Sequence, residues 1–260
     1  MKRIAWLMDD HGYQGGAELS SLAYIAAAPA DYAVTLYYDD QPIPDDVDGY
    51  ILGNCVKYSP AIVEKLGSKP TIKIIYDLWL FGETALRQWL TAHASKVILV
   101  SPMQRDWLAF PITAPVAYCP CPIDFQQYVD AAAAADKREG AVWVGRMWKG
   151  KGIGNASKWA EDNGRAVDFY GYGPESARVL KNYKGQLPPD KIAPVLAKYD
   201  TFVFLPNEFD PCPRSVIEAY AADCNLVLNG NVGTTWWIQH EPDALAKACE
   251  RFWNIVREVV

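Results

Sequence analysis

No stretch of the sequence stays apolar for the ~18 residues that a membrane-spanning helix needs. The opening MKRIAWLMDD brings in Asp9 and Asp10 too early for a secretory signal, so it reads as a first buried strand, and a cytoplasmic protein is expected. Histidine is scarce, three residues scattered along the chain, and of six cysteines (Cys55, Cys119, Cys121, Cys212, Cys224 and Cys249) only Cys119 and Cys121 form a close pair. Metal sites usually use two such pairs or added histidines. The thiols therefore read as reduced, buried small hydrophobes, and no metal is expected. Positive charge is in deficit, with a net charge of -6, which speaks against a partner held through many phosphates without excluding a local basic cleft. A full G-x-G-x-x-G, a Tyr-x-x-x-Lys pair and a P-loop Lys-Ser pair are all missing, which weighs against an epimerase or a phosphate-handling Rossmann enzyme.

What is present is alternation. RIAWLM precedes the helical AELSSLAYIAAA; AVTLYY, GYILG, the helical SPAIVEKLG and TIKIIYD follow. Next come the helical ETALRQWLTAH, KVILVS, a short helix PMQRDWLA, and APVAYCP. Strands alternating with helices predict a parallel, doubly wound sheet. The pattern pauses at DFQQYVDAAAAADKREG, a helix or linker, and a second series runs from AVWVGR to NLVLNG. Two Rossmann-like halves are expected, 1–130 and 138–245, with a C-terminal helix over 246–260 that packs back on the first. Sheets of this kind bind ligands at the carboxyl ends of their strands, so the two halves are expected to face each other across a cleft lined by those loops.

Four such loops carry chemistry. Gly15 and Gly16 stand where a helix begins, allowing backbone amides to approach an anion without Cβ obstruction. In VGRMWKGKG, Arg146 and Lys151 follow a buried strand among glycines, a placement that suits a diphosphate whose charge grows as it departs. In DFYGYGPES, Gly171 and Gly173 mark a strand-to-helix turn. In TFVFLPNEFDPCPRSVIEAY, seven residues separate Asp210 from Glu218, and the helix amides at Arg214, Ser215 and Val216 present a positive end to an anion. Glu218 would face the cleft if Ile217 and Ala221 face the sheet. Read singly, each loop also has an ordinary structural explanation: turn chemistry, a solvated basic loop, or an acid at a helix start. Of ten tryptophans, Trp6, Trp143, Trp89, Trp107 and Trp253 read as core, while Trp79, Trp148, Trp236 and Trp237 fall in or near loops.

Taken in order, the motifs VGRMWKGKG, GYGP and DPCPRSVIEA resemble those of the retaining GT-B glycosyltransferases that use nucleotide-sugars, the E-x7-E group (glycosyltransferase family 4-like, in compact form), whose loops read VGR-x4-KG, G-x-GP and E-P-x-x-R-x-V-I-E-A. GGAE, VILVS and CPIDFQQY extend the likeness into the first half. The resemblance implies an α/β GT-B fold, with an N-terminal acceptor domain and a C-terminal donor domain. It implies transfer of a hexosyl or pentosyl group with retention from a UDP-, GDP- or ADP-sugar, without a metal or other cofactor. Arg146 and Lys151 would hold the diphosphate, Glu218 the ribose and Asp210 the transferred sugar. Gly15, Gly16 and Gly173 would approach the donor, Gln186 and Leu187 would lie beside the base, and His11, Tyr76, Asp77 and Trp79 would belong to the acceptor side. Asp210 replaces the usual first glutamate and Tyr76 a usual histidine. Those departures keep a second reading open, a catalytically silent nucleotide-sugar-binding module. The acceptor is a sugar, a small molecule or another hydroxyl bearer; nucleic acid stays open but is disfavoured by charge.

Overall fold

Runs of branched and aromatic residues form the parallel strands, because helices on both faces leave little of each strand in water. The structure, a computed structural model, describes residues 1–9, 15–55, 57–58, 62–78, 91–108, 111–173 and 181–260. Its elements begin with β1 (Lys2–Met8), α1 (Gly16–Ala26), β2 (Tyr32–Tyr38), β3 (Gly49–Leu52), α2 (Ile62–Leu66), β4 (Thr71–Ile75), β5 (Lys96–Leu99) and β6 (Val116–Tyr118). They continue with α3 (Phe125–Ala133), β7 (Ala141–Arg146), α4 (Ile153–Asp162), β8 (Val167–Tyr172), β9 (Tyr183–Gly185), α5 (Pro189–Leu196), β10 (Thr201–Phe204), α6 (Arg214–Ala221) and β11 (Asn225–Leu228). Three helices close the chain: α7 (Thr234–His240), α8 (Pro242–Ala246) and α9 (Ala248–Arg257).

The chain divides into two compact units, one of Met1–Pro122 with Trp236–Val260, the other of Ile123–Thr235. The first holds a parallel sheet in the order β2-β1-β3-β4-β5-β6, the second a parallel sheet in the order β11-β10-β7-β8-β9. These limits differ from the 130, 138 and 245 read in the sequence. Asp124 caps α3 by accepting from the Gln127 amide at 3.3 Å, and α3 packs on α5 and α6, so this helix belongs to the second unit. The chain returns to the first unit within α7.

In the first unit, Trp6, Tyr24 and Phe252 form one aromatic cluster, with the Tyr24 and Phe252 rings 4.0 Å apart. Trp253 Nε1 donates to the Tyr24 carbonyl at 2.9 Å, tying α9 to α1. Truncating such a ring to alanine costs about 3–5 kcal/mol. In the second unit Trp143, Phe169, Phe202 and Phe204 fill the sheet core.

Several expectations change. PMQRDWLA is a 3-10 turn over Pro102–Trp107, capped by Ser101, and it leaves Trp107 50% exposed rather than in the core. The single C-terminal helix is two, broken at Lys247. Strand β9 and helix α7 stand where no element was expected, and α7 buries Trp237 completely, its Nε1 donating to the Val100 carbonyl at 2.8 Å. The helix expected in ETALRQWLTAH and the one expected after the Gly171–Gly173 turn lie mostly outside the described residues, as does Trp89.

Candidate functional site

Strand order fixes where the second unit can bind. The chain enters its sheet at β7, winds outward through β8 and β9, then reverses to β10 and β11 on the other side of β7. The reversal lies between β7 and β10, the switch point at which open α/β sheets leave room for a ligand. Arg146 ends β7 and Lys151 follows it; Asp210 and Glu218 follow β10.

The two loops at this switch point are built into one another. After Arg146, which is exposed, Met147 turns inward and its amide donates to the Tyr172 carbonyl at 2.7 Å. Lys149–Lys151 form a 3-10 turn that ends at Gly152 in the left-handed conformation, φ 72°. A Cβ on Gly152 would sit 1.8 Å from the Leu205 carbonyl oxygen, so glycine is required where the β7 loop crosses the β10 loop. Asn207 seals the seam: its amide donates to the Gly150 carbonyl at 2.9 Å and its side chain to the Lys149 carbonyl at 2.7 Å. Asn155, in the first turn of α4, donates to Leu205 O and Asn207 Oδ1, both at 2.8 Å. Neither asparagine stood out in the sequence, where an Asn beside a turn carries no distinctive signal.

Across this seam Lys151 forms an ion pair with Asp210. Asp210 is pinned by its backbone, whose amide donates to the Asn231 carbonyl at 2.8 Å and whose carbonyl accepts from Gly233 at 2.9 Å. Two groups that the resemblance assigns to different parts of a donor therefore hold each other.

Glu218 is nearly enclosed. It sits in α6 with only 5% exposure, as buried as Ile217 and Ala221, and not on an open face. Burial pushes its carboxyl above the ordinary glutamate range, against the opposing pull of Arg214 and of a hydrogen bond from the Tyr128 hydroxyl. Arg214 approaches it at 3.8 Å, one turn back on the same helix. Tyr128, in α3, went unnoticed in the sequence because its role depends on α3 lying against α6. The Val216 amide donates to the Pro213 carbonyl at 3.1 Å, so it is already engaged; Ser215 is half-buried. Gly173 has φ 146°, and a Cβ there would lie 2.2 Å from the Met147 carbonyl oxygen. Gln186 is exposed and Leu187 half-buried, just after β9.

The other candidates belong to the first unit, whose own switch point lies between β1 and β3. Gly15 caps α1, and its amide donates to the Glu18 carboxylate at 2.9 Å, so it serves the helix; Gly16 accepts from the Ser20 hydroxyl. Tyr76 is 7% exposed, its hydroxyl 3.0 Å from Ser21 Oγ and its pKa raised well above the ordinary phenol by burial. Asp77 is half-buried beside it, while His11 and Trp79 lie outside the described residues. A buried polar group that the sequence did not suggest lies at Gly53 and Asn54: the Asp9 amide donates to the Asn54 carbonyl, Asn54 Nδ2 donates to Glu18, and Lys73 donates to the Gly53 carbonyl.

No family model matches the chain, and no curated protein matches it in sequence. Solved structures do. The structure of AviGT4, a glycosyltransferase involved in avilamycin A biosynthesis, is 16% identical with a TM-score of 0.65, over 96% of this chain and 88% of that one. Anabaena HepE in complex with UDP and glucose is 14% identical with a TM-score of 0.63, over 100% and 95%. An alpha-glucosyltransferase in complex with UDP-glucose and DNA containing an abasic site is 12% identical with a TM-score of 0.58, over 97% and 94%. The class these likenesses define is a fold: the chain has the GT-B architecture, two Rossmann-like parallel sheets of six and five strands.

Proposed function

We propose that the protein is a glycosyltransferase that moves a sugar from a nucleoside-diphosphate sugar to an acceptor hydroxyl. The observation that carries this is the Lys151–Asp210 pair, set with Arg146 at the β7/β10 switch point of a GT-B fold. A diphosphate entering there competes for Lys151 and releases the Asp210 carboxylate to accept hydroxyls of the transferred sugar. Glu218, deeper in α6, accepts the ribose hydroxyls. Two of the structures above hold UDP or UDP-glucose, which makes UDP the first nucleotide to test and a hexose the first sugar.

In the reaction, the bond between the anomeric carbon and the phosphate oxygen breaks with its electron pair leaving on the diphosphate. The acceptor oxygen bonds the same carbon on the same face, and its proton passes to the departing phosphate, giving retention. Arg146 and Lys151 meet the charge that develops on the leaving group, without a bound metal. The protein acts in the cytoplasm in this reading. The first unit forms the acceptor side and carries nearly all of the chain's excess of acidic residues, which favours a neutral acceptor over a nucleic acid.

Incubation with UDP-, GDP- and ADP-sugars tests the reading. Release of nucleoside diphosphate that Arg146→Ala abolishes supports it. A second reading, a catalytically silent nucleotide-sugar-binding module, draws on the neutralised Asp210 and the deep burial of Glu218. Nucleotide binding without turnover across a range of acceptors selects that module.

A further inference from the structure

Tyr172 is one of four large hydrophobic residues that the described surface leaves exposed, at 39%. It is also held unusually firmly. The glycines on either side have φ 152° and 146°, values that side-chain-bearing residues rarely adopt. A Cβ on Gly171 would lie 1.8 Å from the Gly145 carbonyl oxygen, and one on Gly173 2.2 Å from the Met147 carbonyl oxygen. Tyr183 in β9 donates to the Gly171 carbonyl at 2.9 Å, and the Met147 amide binds the Tyr172 carbonyl. The Tyr183 hydroxyl on one side and the Met147 amide on the other thus hold the backbone that presents one aromatic ring at the carboxyl end of β8.

Its position gives the ring a use. In the β7–β8 ladder Tyr172 is the register partner of Arg146, so the guanidinium and the phenol stand on adjacent strands. On the far side of β8 lies β9, followed by Gln186 and Leu187. Along the sheet edge the order is therefore the Asp210 loop, the Arg146 loop, Tyr172, then the β9 loop. A ligand with an anionic centre at Arg146 and Lys151 and a flat aromatic end one strand further on matches that order, and a nucleoside diphosphate is such a ligand.

We propose that Tyr172 is the platform on which the donor's nucleobase stacks, an inference that rests on the nucleoside-diphosphate reading above. Because the backbone is already fixed by glycine-only geometry, little ordering is needed when the base arrives. Stacking tolerates any base, since every base has a π-face, so Tyr172 contributes affinity and the β9 loop is left to discriminate between bases.

Titrations of UDP and of inorganic pyrophosphate, the base-free probe, into wild type, Tyr172→Ala, Tyr172→Phe and Tyr172→Trp test this. Tyr172→Ala is expected to lose about tenfold or more in UDP affinity, the range of one base stack. Pyrophosphate affinity and melting temperature stay unchanged, and Phe and Trp preserve UDP binding. Unaltered UDP affinity in Tyr172→Ala overturns the proposal, as does an equal loss for UDP and pyrophosphate, which marks a structural role. If wild type binds none of UDP, GDP and ADP, the nucleoside-diphosphate reading itself fails and takes this inference with it.

Discussion

Lys151 and Asp210, 59 residues apart in sequence, form an ion pair where the loops after β7 and β10 meet. The lysine is 30% exposed and the aspartate 11%, so the pair is partly screened and is worth about 1 kcal/mol or less. That is small enough for a diphosphate to displace it. Asp210→Asn frees the ammonium for phosphate, and UDP affinity is expected to rise by up to roughly fivefold while sugar transfer falls. Lys151→Ala is expected to lower UDP affinity. Calorimetric titration of both variants decides the matter: weaker UDP binding by Asp210→Asn would rule out competition for Lys151.

Glu218 costs the fold stability at neutral pH. Burial raises its folded pKa above that of the unfolded chain, with Arg214 and Tyr128 only partly compensating. A raised carboxyl pKa means the folded state binds the proton more readily. The associated stability is full below the unfolded pKa and is lost as pH rises through the folded one. Glu218→Gln should therefore raise the melting temperature at pH 7 and leave it nearly unchanged near pH 4. UDP affinity should drop in the same variant. An equal rise at both pH values would exclude titration of Glu218 as the cause.

Tyr128 hydrogen-bonds Glu218 and is expected to position that carboxylate rather than touch ligand. Tyr128→Phe removes a hydrogen bond that holds the Glu218 pKa down, so the acid limb of UDP binding is expected to move to higher pH. Affinity on the alkaline plateau should change little. A uniform loss at all pH values, with no displacement of the profile, would show that the hydroxyl acts through packing alone.

Two glycines in one segment offer an internal comparison. Gly152→Ala places a methyl against the Leu205 carbonyl and forces a left-handed alanine, costing about 3 kcal/mol and loosening Lys151. Gly154, two residues on and exposed within α4, has nothing within 4 Å of its ideal Cβ. Gly154→Ala should stabilise by about 0.5–1 kcal/mol through helix propensity. Denaturant melts of both variants should move in opposite directions.

Much of this protein could be read from local pattern. Runs such as Ile4–Met8 and Thr201–Phe204 announce buried strands because a strand covered on both faces has only apolar partners, and the helices between them force a parallel sheet. The glycines around Lys151 and Tyr172 mark turns for equally local reasons. The three-residue β9, whose Tyr-Lys-Gly has no apolar run, and the break at Lys247 were not legible in local pattern.

The residue types at the switch point were determined by the sequence alone: a guanidinium and an ammonium after one strand, two carboxylates after another. Which of them meet was decided only by the tertiary structure. The reversal of winding between β7 and β10 brought Lys151 to Asp210, the docking of α3 brought Tyr128 to Glu218, and the β7–β8 register brought Tyr172 beside Arg146. Such pairings depend on strand order and helix packing across tens of residues, and neither leaves a periodicity in the chain.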